Sequence, residues 1–330
     1  GGMGARGAGE GFGDNYELPN MTAYCETCAS IANVFWNYRM FLLSGDAKHV
    51  DVLERALYNG VLSGVSLSGD RFFYDNPLES NGSHERAPWF GCACCPGNIT
   101  RFIPSVPGYT CAVSGREIYV NLFVSSRVSF SDGGGKIEIA QKTGYPWHGD
   151  ISLTVTPDRE REFALMVRIP GWARNQPVPS DLYTFSSADR QRATLSVNGR
   201  PIEIKLEKGF ARIERAWKRG DHVSLRLPMP VRIVRADPHV EDDRGKVALE
   251  RGPVVFCLEG KDQPGGHAMN AFLPSVEGIQ AIFKPDFLGG AVVLEGTCGF
   301  LEREAENHPH PVKGKFHAIP YALWNNRGRD

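Results

Sequence analysis

The 330-residue chain reads as a multidomain α plus β protein in which helices come first and two β-rich regions follow. Three observations predict this. Apolar residues recur at helical spacing between residues 20 and 62, and the period falls to two from Glu117 onward. The 37 glycines and 22 prolines supply many tight turns without reaching the roughly 25–30% at which low-complexity disorder becomes the better reading. With 42% hydrophobic residues, the chain can fill two or three cores of ordinary domain size.

The first helix is expected to start at Asn20 or Thr22 as cap and to run through SIANVFWNYRMFLL to the break at Ser44-Gly45. A second starts at Asp46. Val50, Leu53, Leu57 and Val61 share its inner face, Asp51 and Arg55 stand four apart on the face expected to be wet, and it stops near Gly60 to Gly64. From Glu117 the runs EIYVNLFV, KIEIA, DISLTVT, EFALMVRIP and HVSLRLP are β-branched and separated by Gly, Pro and Asp. Asn198-Gly199 lies between ATLSV and RPIEI, where both residues tolerate the positive φ of a two-residue hairpin. Strands without intervening helices suggest an antiparallel sandwich, and Pro228 and Pro230 mark a boundary before a second β-rich region. No internal repeat is visible.

Composition narrows the function. With 37 basic and 38 acidic residues the formal charge is −1, so the chain lacks the basic surplus that nucleic-acid binding requires. No stretch approaches the roughly 18 apolar residues of a membrane span, and the start shows no signal-peptide pattern. The chain is therefore expected to engage neither nucleic acid nor membrane. It opens on glycine-crowded residues that read as the middle of something longer, so an upstream part is expected to be missing.

Six of the eight cysteines, at 25, 28, 92, 94, 95 and 111, precede the β-rich region. YCETC and CACC gather thiols in a way that suits a soft metal such as zinc or a disulfide set, and with no secretory signal the metal reading leads. A generic four-cysteine site would draw its second pair from a C-x-C-C cluster, which lacks the usual spacing. Cys94 and Cys95 can reach one ion only if the backbone turns there, and Pro96 disfavours helical geometry at Cys95. Glu26 and Cys28, two apart, can ligate together only from a non-helical lead-in or irregular first helical turn. Taken singly, these cysteines could be small apolar core residues, and Glu26 a favourable charge at a helix N-terminus.

The strings GEGFGDNYELPN and MTAYCETCASIANVFWNYRM, then DVLERALYNGVLSGVSL, FFYDNPLE and CACCPGNITR, resemble glycoside hydrolase family 127. The likeness covers most of residues 1 to 125, weakens through the strands and returns in HAIPYALWNNRG. It implies a retaining β-L-arabinofuranosidase with a zinc-bound cysteine nucleophile, acting on terminal β-L-arabinofuranose of plant-type glycans or glycopeptides. The fold implied is the C-terminal part of an (α/α)6 barrel over residues 1–112, followed by two antiparallel β-sandwich domains, 113–227 and 228–330. The segment before Cys111 holds too few helices for a closed barrel, so the sugar-binding histidines of the absent half have no match and the chain alone is expected to be incomplete.

By motif, the resemblance gives Glu26, Cys28, Cys94 and Cys95 as zinc ligands, with Cys25 outside the set. Cys94 matches the nucleophile and Glu10 the proton donor, while Glu54 and Tyr74 match sugar-contacting positions. A free thiol titrates near about 8.5, and metal coordination deprotonates it at neutral pH. Sulfur would thus replace the attacking carboxylate of an ordinary retaining glycosidase, and Glu10 would have to carry a proton in the first step. His49 and His84 lack the partners of a chelating pair and read as ordinary polar residues. Carbohydrate is the expected partner, a homodimer the expected assembly, and reduced thiolates point to a cytoplasmic setting.

Two further readings compete. The strands could form a carbohydrate-binding module with Trp147, Trp172 or Trp217 as stacking platforms and a structural zinc site beside it. Alternatively, Cys25 and Cys28 could be a redox pair at a helix start.

Overall fold

A computed structural model describes residues 10–132, 135–188, 191–302 and 310–329. The glycine-crowded opening, residues 1–9, lies outside them. Three α-helices occur among the described residues. Helix α1 (Thr27–Ser44) ends where Gly45 takes φ 64° and returns its N–H to the Phe41 carbonyl. Helix α2 (Ala47–Arg55) is capped by Asp46, whose carboxylate accepts the Lys48 N–H at 2.9 Å. It continues as a wider turn over Ala56–Val61. Helix α3 (Cys94–Phe102) follows an irregular loop.

Helix α1 starts later than expected. Its N-cap is Glu26, and Asn20 instead donates its amide to Asp243 Oδ1 at 2.8 Å, a bond 223 residues distant in sequence. Val50, Leu53, Leu57 and Val61 are buried as their spacing predicts. Asp51 and Arg55, expected to pair with each other in water, turn to the β domains. Asp51 binds Arg168 and Arg174, and Arg55 binds Glu250 at 2.6 Å.

Two sheets form the sandwich. The first has strand order Cys111–Ser114, Glu117–Val120, Arg161–Arg168, Phe210–Trp217, Leu206–Glu207; the second has Ser126–Asp132, Gly135–Thr143, Asp150–Pro157, Asp221–Arg226, Thr194–Val197, Arg200–Ile202. Pairing is antiparallel except that Glu117–Val120 runs parallel to Arg161–Arg168. The strand Asp150–Pro157 alternates buried and half-buried residues because one of its faces is covered. Arg161–Arg168 is apolar nearly throughout because both of its faces are covered: Leu165 and Val167 enter the sandwich core, while Ala164 and Met166 pack under the helices with Phe41 and Leu53. The Asn198-Gly199 hairpin forms as expected, with φ of 51° and 78°.

The C-terminal region is likewise built of strands. Its described strands join one long sheet, in the order Ala271–Phe272, Ala291–Glu302, His310–Pro320, Val254–Leu258, Ala248–Arg251, Val231–Ala236, Tyr183–Phe185, with Gln280–Lys284 on the side of Ala291–Glu302. Tyr183–Phe185 reaches this sheet across the Pro228 boundary, pairing with Val231–Ala236. Among the described residues no helix is long and apolar enough to cross a membrane.

Candidate active site and metal centre

Two helix N-termini meet at one point. Glu26 stands immediately before α1 in extended geometry (φ −64°, ψ 139°) and Cys28 is the second residue of the helix, so the lead-in needed for joint ligation is present. Cys94 and Cys95 are the first two residues of α3. This corrects the expectation that Pro96 keeps Cys95 out of a helix. Proline is accepted in a first turn, where the missing N–H has no intrahelical partner to lose, and both thiols reach the site from that turn.

The four donor atoms of Glu26, Cys28, Cys94 and Cys95 lie within 4.8 Å of one another. Sγ of Cys28 is 3.4 Å from that of Cys95, the Cys94 and Cys95 sulfurs are 3.7 Å apart, and these last two thiols donate to Glu26 Oε1 at 3.6 and 3.7 Å. A tetrahedral ion with sulfur at about 2.3 Å and oxygen at about 2.1 Å requires edges of about 3.8 and 3.6 Å. Four of the six edges, at 3.4 to 3.7 Å, come close to these, and all donors lie within 4.8 Å of one another.

Its chemistry fits as well. Glu26 is buried and, although it occupies the N-cap position of α1, its side chain makes no capping bond. Burial pushes the Cys28 thiol up to about 12 and raises Cys95 further still, with Asn98 Nδ2 opposing at Cys28 through a 3.1 Å bond. A cation would turn these thiols into thiolates, and the positive ends of α1 and α3 favour the negative charge so created.

Glu10 and Tyr74 stand beside this group. Glu10 Oε1 accepts the Tyr24 hydroxyl at 3.2 Å and the Tyr74 hydroxyl at 3.3 Å. The Tyr74 phenol is raised first by its hydrogen bond to Cys94 and then by burial. The Tyr74 hydroxyl thus bonds Glu10 and lies near the Cys94 thiol. Tyr74 is held by its backbone: its carbonyl accepts the Thr27 N–H at 2.9 Å, and the Phe73 carbonyl accepts Thr27 Oγ1 at 2.8 Å. Close approach of the Gly60–Gly64 turn to α1 needs glycine, since a Cβ on Gly64 would lie 2.5 Å from Thr27 Cγ2.

Glu54 is elsewhere, contrary to its expected sugar contact. It is 1% exposed and enclosed at the junction of helix and sandwich. There it accepts the Tyr145 hydroxyl at 2.7 Å, the Trp172 indole N–H at 3.4 Å and a short bond from Arg168. Enclosed by protein groups, its carboxylate has no face left for a ligand. Cys25 lies outside the four-residue group. His84 stacks on Phe73, and His49 contacts Asn37. Trp217 is fully buried, Trp172 nearly so, and Trp147 packs into the C-terminal core, so these rings are not exposed platforms.

Sequence reasoning missed Tyr24 and Asn98. Asn98 had a legible signal, one helical turn beyond Cys94 on the same face. Tyr24 had none beyond its adjacency to Cys25.

The helical layer thus presents a cysteine-rich donor group beside the Glu10 carboxyl, and the chain belongs to glycoside hydrolase family 127. Residues 1–108 match its β-L-arabinofuranosidase catalytic domain, 117–229 its middle domain and 231–330 its C-terminal domain. A non-reducing end β-L-arabinofuranosidase of Bifidobacterium longum subsp. longum is 34% identical over 99% of this chain and 51% of its own length. Among solved structures, a family 127 β-arabinofuranosidase shares 47% identity at a TM-score of 0.94, over 99% of this chain and 51% of that one. A family 127 β-L-arabinofuranosidase of Geobacillus stearothermophilus T6 shares 41% identity at 0.89, over 100% and 52%. The chain thus spans about half the length of the relatives it matches.

Proposed function

We propose that this chain carries the metal-binding and nucleophilic part of a retaining β-L-arabinofuranosidase that releases terminal β-L-arabinofuranose from plant-type glycans or glycopeptides. The observation that carries the reading is the convergence of Glu26, Cys28, Cys94 and Cys95 close to tetrahedral spacing, with Glu10 one tyrosine hydroxyl away from Cys94. Three sulfurs and one carboxylate favour zinc, which when bound would keep Cys94 as thiolate at neutral pH.

Cys94 Sγ then attacks the anomeric carbon, the glycosidic C–O bond breaks, and Glu10 gives its proton to the departing oxygen. In the second half Glu10 takes a proton from water, whose oxygen displaces the sulfur from the same carbon and restores the starting configuration. Tyr74, between the two groups, orients both. Residues 1–112 are the C-terminal part of an (α/α)6 barrel in this reading. The exposed stripe of Phe35, Trp36, Leu42 and Leu43 on α1 is the face on which further barrel helices of the longer relatives would pack.

Metal analysis of reduced protein tests the site. Near-stoichiometric zinc that survives Cys25→Ser and is lost in Cys94→Ser is the expected result. Zinc that depends on Cys25, or a folded chain that binds none, overturns it. Hydrolysis of 4-nitrophenyl β-L-arabinofuranoside with release of the β-anomer, followed by NMR, tests the reaction; initial release of the α-anomer would refute retention.

A further inference from the structure

The loop that carries Tyr74 is secured from the far end of the chain. Between the paired residues Phe72 and Ala87 it has no regular structure; Ser63 and Asn20 hold parts of it, and a further set of fastenings comes from the turn Tyr321–Asn325 that follows the last strand. The Trp324 indole N–H donates to Asn76 Oδ1 at 3.1 Å, and the Tyr321 hydroxyl donates to the carbonyls of Asn76 and Pro77 at 3.1 and 3.2 Å. Arg86 returns the contact, donating from Nη1 to the Trp324 carbonyl at 2.7 Å and from its backbone N–H to Asn325 Oδ1 at 3.2 Å. The Trp324 ring stacks on Phe73, 4.9 Å between centroids and 17° between planes.

These fastenings are buried. Asn76 is 1% exposed, Arg86 3% and Trp324 7%. The remaining Asn76 donor binds Ser63 Oγ, so removing the indole N–H orphans Oδ1 in the interior. Tyr74 sits one residue from Phe73 and two from Asn76, and its main chain is pinned on the opposite side by Thr27, between Glu26 and Cys28. Its main chain is thus held between α1, which carries half of the metal group, and a segment bound to the C-terminal turn, while its ring packs edge-on against Phe90.

We propose that the C-terminal turn is a positioning element of the candidate active site, with Trp324 as its principal residue, setting where the Tyr74 hydroxyl lies relative to Glu10 and Cys94. Trp324 acts through Asn76 and Phe73 and touches no reacting group. The inference rests on the proposed roles of Cys94 and Glu10 for its effect on rate, but its structural part stands apart from them. A displacement of about 1 Å at a group that orients reacting atoms costs on the order of a hundredfold in rate.

The test places 3-fluorotyrosine at Tyr74, or at Tyr119 as a remote reporter, and records fluorine NMR for the unsubstituted protein, Trp324→Phe and Tyr321→Phe. Lys284→Ala, which breaks a bridge to Glu295 in the same C-terminal sheet, is the control. Zinc per chain and 4-nitrophenyl β-L-arabinofuranoside hydrolysis are measured on the unlabelled proteins. The expected result is a shifted or broadened Tyr74 resonance in both substitutions with Tyr119 unmoved, zinc unchanged, and a fall in kcat of about tenfold for Trp324→Phe. Lys284→Ala changes none of these. An unmoved Tyr74 resonance, or equal movement at Tyr119, overturns the proposal. Should Trp324→Phe not fold, Tyr321→Phe makes the same comparison, and should no variant turn over substrate, the fluorine comparison alone decides this proposal.

Discussion

Two buried groups of ionisable side chains lie on the helical layer, and they are composed in opposite ways. At the junction with the sandwich, the carboxylates of Asp51 and Glu54 surround the fully buried Arg168, and each charge has an opposite partner. At the start of α1 and α3, Glu26 and three thiols converge with no protein cation among them. A buried charge is tolerated when paired. The first group is therefore paired within the chain and joins the helices to the sandwich, whereas the second offers four donors to a metal ion and holds no protein cation. Motif matching alone had placed Glu26 and Glu54 in the same site; partner chemistry separates them.

Experiments that break this contrast fall in a natural order. Removing the nucleophilic sulfur should have the largest effect. Cys94→Ser is expected to abolish hydrolysis by about a thousandfold or more, and a chelator should remove zinc and activity together from the unsubstituted protein, both restored by zinc and by no alkaline-earth ion. Activity that survives full zinc removal would collapse the distinction between the two groups.

Next is Arg168→Met, which leaves Glu54 and Asp51 buried without their shared partner. It should cost about 3–5 kcal/mol in chemical denaturation, while the fraction that remains folded keeps its zinc. Adding Glu54→Gln to it should recover part of the loss through removal of the uncompensated charge. Zinc lost in step with Arg168 would show that the groups are one unit.

Gly64→Ala should cost about 1–3 kcal/mol, because the new methyl meets Thr27 at the base of α1. Its effect is expected on zinc affinity as well as on thermal midpoint, since Thr27 stands between two of the ligands. Unchanged affinity would show that the α1 start is set independently of the glycine turn.

The smallest effect concerns a paired carboxylate at the edge of the first sheet. The Tyr119 hydroxyl and then Arg212 hold Glu117 below the ordinary carboxylate range. Stability from this arrangement is present above about pH 4.5 and is lost as the pH falls through that region toward the depressed value. Glu117→Gln should therefore cost less than about 1 kcal/mol at pH 7, and the difference from the unsubstituted protein should shrink on acidification. A difference that grows below pH 4.5 would reverse the assignment.

Much of the local structure was legible. The turn at Gly45, the cap at Asp46 and the Asn198-Gly199 hairpin each depend on φ preferences or hydrogen bonds within a few residues, and the spacing of apolar residues located the buried faces of α2. The donor set came from the family resemblance, since cysteine spacing by itself left a four-cysteine site and a disulfide set open. Elements whose partners are distant were misread. Asp51 and Arg55 satisfy a helical pairing rule, yet their partners lie 117 and 195 residues away. Asn20 looked like a helix cap and bonds instead to the C-terminal region. Tyr183–Phe185 is a short strand whose sheet is chosen by an available edge on Val231–Ala236, which nothing in its own three residues specifies.

By itself, then, the sequence determined the helix and strand periods, the tight turns and the kind of chemistry that a glutamate and three cysteines can perform, since these depend on side-chain identity and short-range backbone geometry. Only the tertiary structure decided that two helix starts share one donor group, that Glu54 belongs to a joint between domains, and that a turn ending near residue 325 supports Tyr74. Each of these depends on the charge, burial and hydrogen-bonding capacity of residues 67 to 248 positions away, which meet only once the cores have packed.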